Sequence, residues 1–136
     1  MDIVAAIYQI ARDLFAMQGQ FRERDEKRRS EIAAYFRDIS DCLDRVHNSL
    51  ATNRYPHGAC QELVVHADNM VSVIGDYIGE TEAQSFAETL REAHNVERLY
   101  DEFGSDPAAR IDKLPKIDEA AGFFRGLSSA VSASPV

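Results

Sequence analysis

The sequence predicts an all-α protein, an antiparallel bundle of four to five helices. Apolar residues recur every three or four positions along most of the chain, which is the repeat that places side chains on one face of a helix. No useful stretch alternates apolar and polar residues, as a half-buried strand would. The connections between the periodic segments are short, and short connections favour antiparallel neighbours.

The first helix is predicted from two adjacent apolar stripes near the N-terminus. The first stripe alternates spacings of four and three and consists of Ile3, Ile7, Ile10, Leu14, Met17 and Phe21. The second stripe consists of Val4, Tyr8, Ala11 and Phe15. Because the combined apolar face is wide, we expect this helix to pack against two neighbours rather than one.

A charged stretch at residues 22–31 separates the first helix from the second. It mixes both signs and contains no Gly or Pro, so a solvated helix and a polar turn both remain open. The second helix follows from the stripe Ile32, Phe36, Ile39, Leu43, Val46 and Leu50. Phe21 and Ile32 are eleven residues apart, about three helical turns. One continuous helix and two separate helices therefore fit equally well.

A turn at residues 53–58 ends the second helix. Pro56 disfavours helical backbone at the residue before it, and Gly58 loosens the chain further. The third helix is predicted from Ala59 to Ile78, because apolar residues recur along it at helical spacing and Gly79 is a natural terminator.

A fourth helix is predicted to start at a capping box formed by Thr81 and Gln84 and to run to Gly104. Asp106 and Pro107 then have the sequence of an N-cap and a first helical residue. A short helix would run to Lys113, and Pro115 would start the final helix, which ends near Val131. We therefore predict one domain over residues 1–131 and a loose tail over 132–136.

The acidic balance of the chain restricts its partners. The net charge is −8, which opposes binding to nucleic acids and to anionic membranes. No apolar run approaches the roughly 20 residues needed to span a bilayer, and the N-terminus has no basic region of an export signal. These features predict a cytoplasmic protein whose partner is another protein or a second copy of itself.

Cysteines and histidines offer the best candidates for metal binding. Cys42 and Cys60 are predicted to be free thiols, because a hairpin turning near Pro56 would offset them by roughly 14 Å along the helices, twice what a disulfide spans. Cys60, just after the turn, is expected to be the more exposed of the two. His47 and His66 fall at similar heights in the hairpin, and with Cys60 they form a weak candidate metal site between helices two and three.

The sequence contains no catalytic, phosphate-binding or dinucleotide-binding motif, so we predict neither an enzyme nor a cofactor. The leading hypothesis is a protein–protein interaction module, an adaptor or regulatory bundle of the kind found alone or within signalling and defence proteins. The second stripe of the first helix, Val4, Tyr8, Ala11 and Phe15, is either part of the core or, if the bundle leaves it exposed, the interaction surface of this module. The alternative hypothesis is a small-ligand or metal sensor with its site between helices two and three.

Overall fold

The computed structural model describes residues 2–22, 25–103 and 107–133, with a few helical side chains inside these ranges left out. The described ranges contain seven α-helices, one 3-10 turn at Glu92–His94 and no strand, so the predicted all-α bundle is confirmed. The helices are α1 (Ile3–Ala16), α2 (Gln18–Arg22), α3 (Glu26–Ala51), α4 (His57–Ile78), α5 (Glu80–Arg91), α6 (Val96–Phe103) and α7 (Pro107–Ser132).

The five longer helices form a closed ring around one apolar core. α3 packs on α7, α7 on α1, α1 on α5, α5 on α4, and α4 back on α3. Buried side chains from all five belong to a single cluster. α1 therefore has two neighbours, α7 and α5, which is what its wide apolar face requires. The short helices α2 and α6 connect members of this ring.

The contact between α3 and α7 is closed by two buried serines. Ser40 on α3 donates its hydroxyl to the carbonyl oxygen of Ala121 at 2.9 Å, and Ser128 on α7 donates to the carbonyl of Ala33 at 2.7 Å. Moving forward along α3 therefore means moving backward along α7, so the two helices are antiparallel. Small side chains at these positions let the two backbones come close enough for the hydroxyls to reach across.

The sequence left open whether the first helix continues into the helix that carries the stripe from Ile32 to Leu50. In the structure the two are separate helices. α1 ends at Ala16, and α3 starts separately at Glu26. The Asp25 side chain caps α3 by accepting from the N–H of Arg28 at 2.9 Å, which is the usual role of Asp at a helix N-terminus. Residues 23 and 24 of the charged stretch lie outside the described residues. α1 thus folds back on the bundle instead of extending α3.

The predicted fourth helix is wrong in two respects. It begins at Glu80, directly after Gly79, and no side chain caps it, so Thr81 and Gln84 do not form a capping box. It also stops at Arg91, and α6 starts after Asn95, whose side chain accepts from the N–H of Arg98 at 3.0 Å. Asn is a strong N-cap, so it starts a new helix inside the apolar repeat. The predicted end at Gly104 lies outside the described residues.

The prediction that Pro115 starts a new helix is also wrong, because α7 runs through it from Pro107 to Ser132. A proline inside a helix loses one hydrogen bond, to the carbonyl four residues earlier. That carbonyl belongs to Ile111, a residue that is 76% exposed. Asp106 and most of the predicted tail, residues 134–136, lie outside the described residues.

Candidate interaction site at the turn between α3 and α4

The turn between α3 and α4 is held by its own hydrogen bonds. The Thr52 hydroxyl donates to the carbonyl of Asn48 at 2.9 Å, and the N–H of Arg54 donates to the carbonyl of Ser49 at 2.8 Å. Asn53 has a positive φ of 59°, a conformation that Asn tolerates better than most residues. The turn is therefore a defined structure on which Arg54 and Tyr55 are exposed.

Three aromatic rings stack at this turn. The ring of Tyr55 lies 4.1 Å from that of Tyr100 on α6, with 20° between their planes. It also lies 5.6 Å from the ring of His57, at 17°. Tyr55 is nevertheless 49% exposed. The stack therefore presents an aromatic side chain to solvent while restricting its motion.

A cleft of about 400 Å³ opens beside Tyr55, between the end of α3 and the start of α4. Its described lining includes Arg45, Arg54 and His57 and contains no carboxylate. α4 starts here without a side-chain cap on its first amides, so the partial positive charge of a helix N-terminus adds to that of the arginines. The cleft is thus locally positive in a chain whose net charge is −8.

The two arginines of the cleft differ in how their charges are balanced. Arg54 donates through Nε to the Thr52 hydroxyl at 3.2 Å, and no carboxylate of the described residues forms an ion pair with it. Arg45 pairs with Glu62 on α4, and this hydrogen bond lowers the pKa of the Glu62 carboxyl. One guanidinium of the cleft therefore has an acidic partner inside the described chain, and the other has none.

The interaction surface predicted on the first helix is largely covered by the fold. Val4 and Ala11 are buried, so they offer nothing to a partner while the bundle is intact. Tyr8 and Phe15 are half-buried, and both rings pack on Phe123 of α7, with centroids 5.9 and 5.5 Å from it. The condition that the bundle leaves this stripe exposed is therefore not met at Val4 and Ala11, which lie in the core where α7 packs on α1.

The predicted metal ligands do not come together. His47 and His66 are half-buried, and Cys60 is buried. Within the described ranges, no group of three or more His, Cys, Asp or Glu side chains is arranged to hold a metal ion. The His66 ring packs edge-on against Tyr35, at 5.8 Å between centroids, and the Tyr35 hydroxyl donates to the His66 carbonyl. His66 therefore takes part in the packing of α3 on α4.

The two cysteines are free, as predicted, but Cys60 is not the more exposed one, since both are buried. Burial raises the pKa of Cys42 to about 11 and that of Cys60 to about 12. A thiol reacts as its thiolate, so raised pKa values make both groups poor nucleophiles at neutral pH. Cys60 is buried because α4 begins at His57, which turns Cys60 toward the core within its first turn.

The residues that build this site were not singled out from the sequence. Tyr55 carried a signal, because an aromatic residue directly before Pro56 in a polar turn has no helix face on which to be buried. Tyr100 carried none, since it continues the apolar repeat of its segment as a core residue would. Its stacking on Tyr55 depends on where α6 is placed, which is a tertiary property.

Comparison with known proteins adds no relative: the chain matches no family model, and no curated protein or solved structure is significantly similar to it. A search of the described helices for a membrane span finds none that combines sufficient length with sufficient apolarity.

Proposed function

We propose that this chain is a protein–protein interaction module without a catalytic role, an adaptor or regulatory bundle that binds its partner at the turn between α3 and α4. The observation that carries the proposal is Tyr55, half-exposed yet held in a ring stack beside Arg54 and an open cleft. The first-helix stripe is not the surface we favour, because half of it lies in the core.

The chemistry of this end of the bundle is that of an interaction hot spot. Tyr and Arg are enriched among the residues that carry binding energy. An aromatic ring that is already held in place loses little conformational entropy when a partner packs on it. The stack on Tyr100 and His57 supplies this advantage before any partner arrives. A concave surface beside the ring gives a partner side chain a place to enter.

Affinity capture with three forms of the purified chain tests the proposal: the unaltered chain, Tyr55→Ser and Ile111→Ser. Ile111 is the control, because it is an exposed apolar residue on α7 that does not line the cleft. We expect a defined partner to be retained by the unaltered chain and by Ile111→Ser, and to be lost by Tyr55→Ser. Titration of the purified pair then measures the affinity directly.

A partner held equally well by Tyr55→Ser would contradict the proposed surface, and a measured turnover would contradict the non-catalytic role. Thermal unfolding of each variant separates lost binding from lost folding. Because Tyr55 is half-exposed but stacks on Tyr100, its replacement should lower the free energy of unfolding by about 1–2 kcal/mol, which leaves the chain folded.

A second candidate function is a sensor of small ligands, for which the cleft between α3 and α4 is the supporting observation. Its volume of about 400 Å³ is in the range of small-molecule sites. A metal sensor is not favoured, because His47, His66 and Cys60 are not grouped as metal ligands within the described residues. A small anion would have to occupy the same positive cleft. Comparing the affinity of the chain for small anions with its affinity for a peptide therefore distinguishes the two candidates.

A further inference from the structure

We infer that the cleft beside Tyr55 binds an acidic peptide segment of the partner, with a carboxylate on Arg54 and a neighbouring side chain against the Tyr55 ring. This inference rests on the proposed function and specifies the chemistry of the partner. Three separate features of the site support it: the charge of the cleft, the lack of an ion pair between Arg54 and any carboxylate of the described residues, and the position of the aromatic stack.

The charge of the cleft contrasts with the rest of the protein. The sequence has 23 acidic and 15 basic residues, yet the described lining of this cleft has Arg45, Arg54 and His57 without one carboxylate. The repulsion expected from the net charge is screened beyond about 8 Å at physiological ionic strength. Because Glu62 balances Arg45, the guanidinium of Arg54 decides which ligands the cleft accepts, and complementarity selects negative ones.

Arg54 is the residue best prepared to receive a carboxylate. Its Nε is engaged with the Thr52 hydroxyl, which orients the guanidinium without neutralising it. Its backbone N–H is fixed to the carbonyl of Ser49 at 2.8 Å, so the residue starts from an ordered turn. A planar guanidinium suits the two oxygens of a carboxylate. A partner Asp or Glu would supply the counter-ion that the described chain does not.

The aromatic stack favours a peptide over a free small anion. A small anion needs only the guanidinium, whereas the half-exposed Tyr55 side chain lies beside it on the same cleft. Packing on that ring requires a second group, joined to the first at side-chain spacing. A peptide carries acidic and aromatic or aliphatic side chains on one backbone, so it can use both features at once.

Glu62 acts as an internal competitor for the same cleft. It is the acidic partner of Arg45, and like any exposed glutamate it is ionised at neutral pH. Replacing it by Gln would release the Arg45 guanidinium to a ligand. Glu62→Gln should therefore raise the affinity for an acidic segment severalfold, as expected for one added surface ion pair. A substitution that merely damaged the fold would lower this affinity.

The experiment is a titration of the ¹⁵N-labelled full chain followed by amide chemical shifts. The probes are the peptide acetyl-Glu-Glu-Tyr-Glu-Glu-amide, the same peptide with Gln for each Glu, and sodium citrate. We expect the acidic peptide to shift the amide resonances of residues 48–59 and its affinity to fall as the salt concentration is raised. The Gln peptide should bind at least about tenfold more weakly. Arg54→Gln should weaken the acidic peptide by about tenfold.

Arg37→Gln is the matched control, because Arg37 is an exposed arginine on the same helix, about 20 Å from its C-terminal end. Its binding curve should equal that of the unaltered chain. Equal affinity for the acidic and Gln peptides, shifts centred elsewhere, or no effect of Arg54→Gln would overturn the inference. Citrate binding as tightly as the peptide at the same amides would also overturn it, and would favour the small-ligand sensor.

This inference and the proposed function fail separately. If a partner needs Tyr55 for binding but is not displaced by the acidic peptide, the interaction module is supported and the acidic segment is rejected. If the peptide binds with the expected effects of Arg54→Gln and Glu62→Gln but the chain captures no partner, the acidic preference of the cleft is supported and the interaction module is rejected.

Discussion

The hydroxyl of Ser40 on α3 donates to the carbonyl oxygen of Ala121 on α7 at 2.9 Å, within the buried contact between the two longest helices. Its counterpart, from Ser128 to Ala33, lies seven residues away along each helix, about two helical turns. The two bonds fix the register of the helices, because sliding α7 by one residue would move both carbonyls out of reach.

Ser40→Ala should lower the free energy of unfolding by about 0.5–1 kcal/mol, because one buried hydrogen bond is lost while the helix propensity improves slightly. Ser40→Val should cost about 1–3 kcal/mol, since the added methyl groups meet the α7 backbone. Urea denaturation measures both. The control is Ser129→Ala, at an exposed position of α7, and a larger loss there than at Ser40 would contradict the assigned register bond.

Gly122→Ala should stabilise the protein by about 0.5–1 kcal/mol. Gly122 lies inside α7, and a methyl group added there meets nothing within 4 Å. Gly79→Ala is the contrasting variant, because Gly79 has a φ of +97°, and it should destabilise by about 1–3 kcal/mol. Thermal or urea unfolding of the two variants should give opposite signs, and the same sign for both would refute this explanation.

Stability should fall as pH rises above about 9. The pKa of Cys42 is raised to about 11 and that of Cys60 to about 12 in the fold, both by burial, from a reference of 9.0. Between pH 9 and 11 the unfolded chain loses two protons that the folded chain retains. The free energy of unfolding therefore decreases by at most about 2.7 kcal/mol per pH unit.

The urea midpoint measured from pH 7 to 11 tests this pH dependence. Stability should be nearly flat with respect to the two thiols below pH 8 and should decline above 9. The double variant Cys42→Ala, Cys60→Ala should start from a lower stability, because its core loses volume, but should decline less steeply above pH 9. An identical slope in the double variant would show that other groups cause the decline.

Phe15→Ala should cost about 2–3 kcal/mol of folding stability, somewhat less than for a fully buried Phe. The Phe15 ring packs on Phe123, and a methyl group added at Gly126 would lie 3.3 Å from it. Combining it with Phe123→Ala should reveal a coupling of about 0.5–1.5 kcal/mol. Additive losses in the double-mutant cycle would argue against a direct ring contact. Loss of a partner by Phe15→Asp would therefore report unfolding rather than a broken interface.

Much of the fold follows from apolar spacing, but local rules of capping and of proline were less reliable. The stripe from Ile32 to Leu50 predicts α3 well, and the predicted turn around Pro56 is where the chain reverses. The predicted fourth helix is divided into α5 and α6, and the Asn95 side chain caps α6. The apolar repeat continues through this division, so it did not reveal it. Pro115 does not break α7, although a proline inside a helix removes one hydrogen bond, because α7 packs against both α3 and α1.

The sequence by itself determined that the chain is a set of amphipathic rods, because a three-and-four repeat gives a helix one apolar face that must be buried. It also determined the turn at Pro56 and the reduced state of both cysteines. Only the tertiary structure decided that α7 covers the second stripe of α1, and that Tyr100 meets Tyr55 beside Arg54. These contacts join residues far apart in the chain, and helix spacing specifies which face is buried but not which helix buries it.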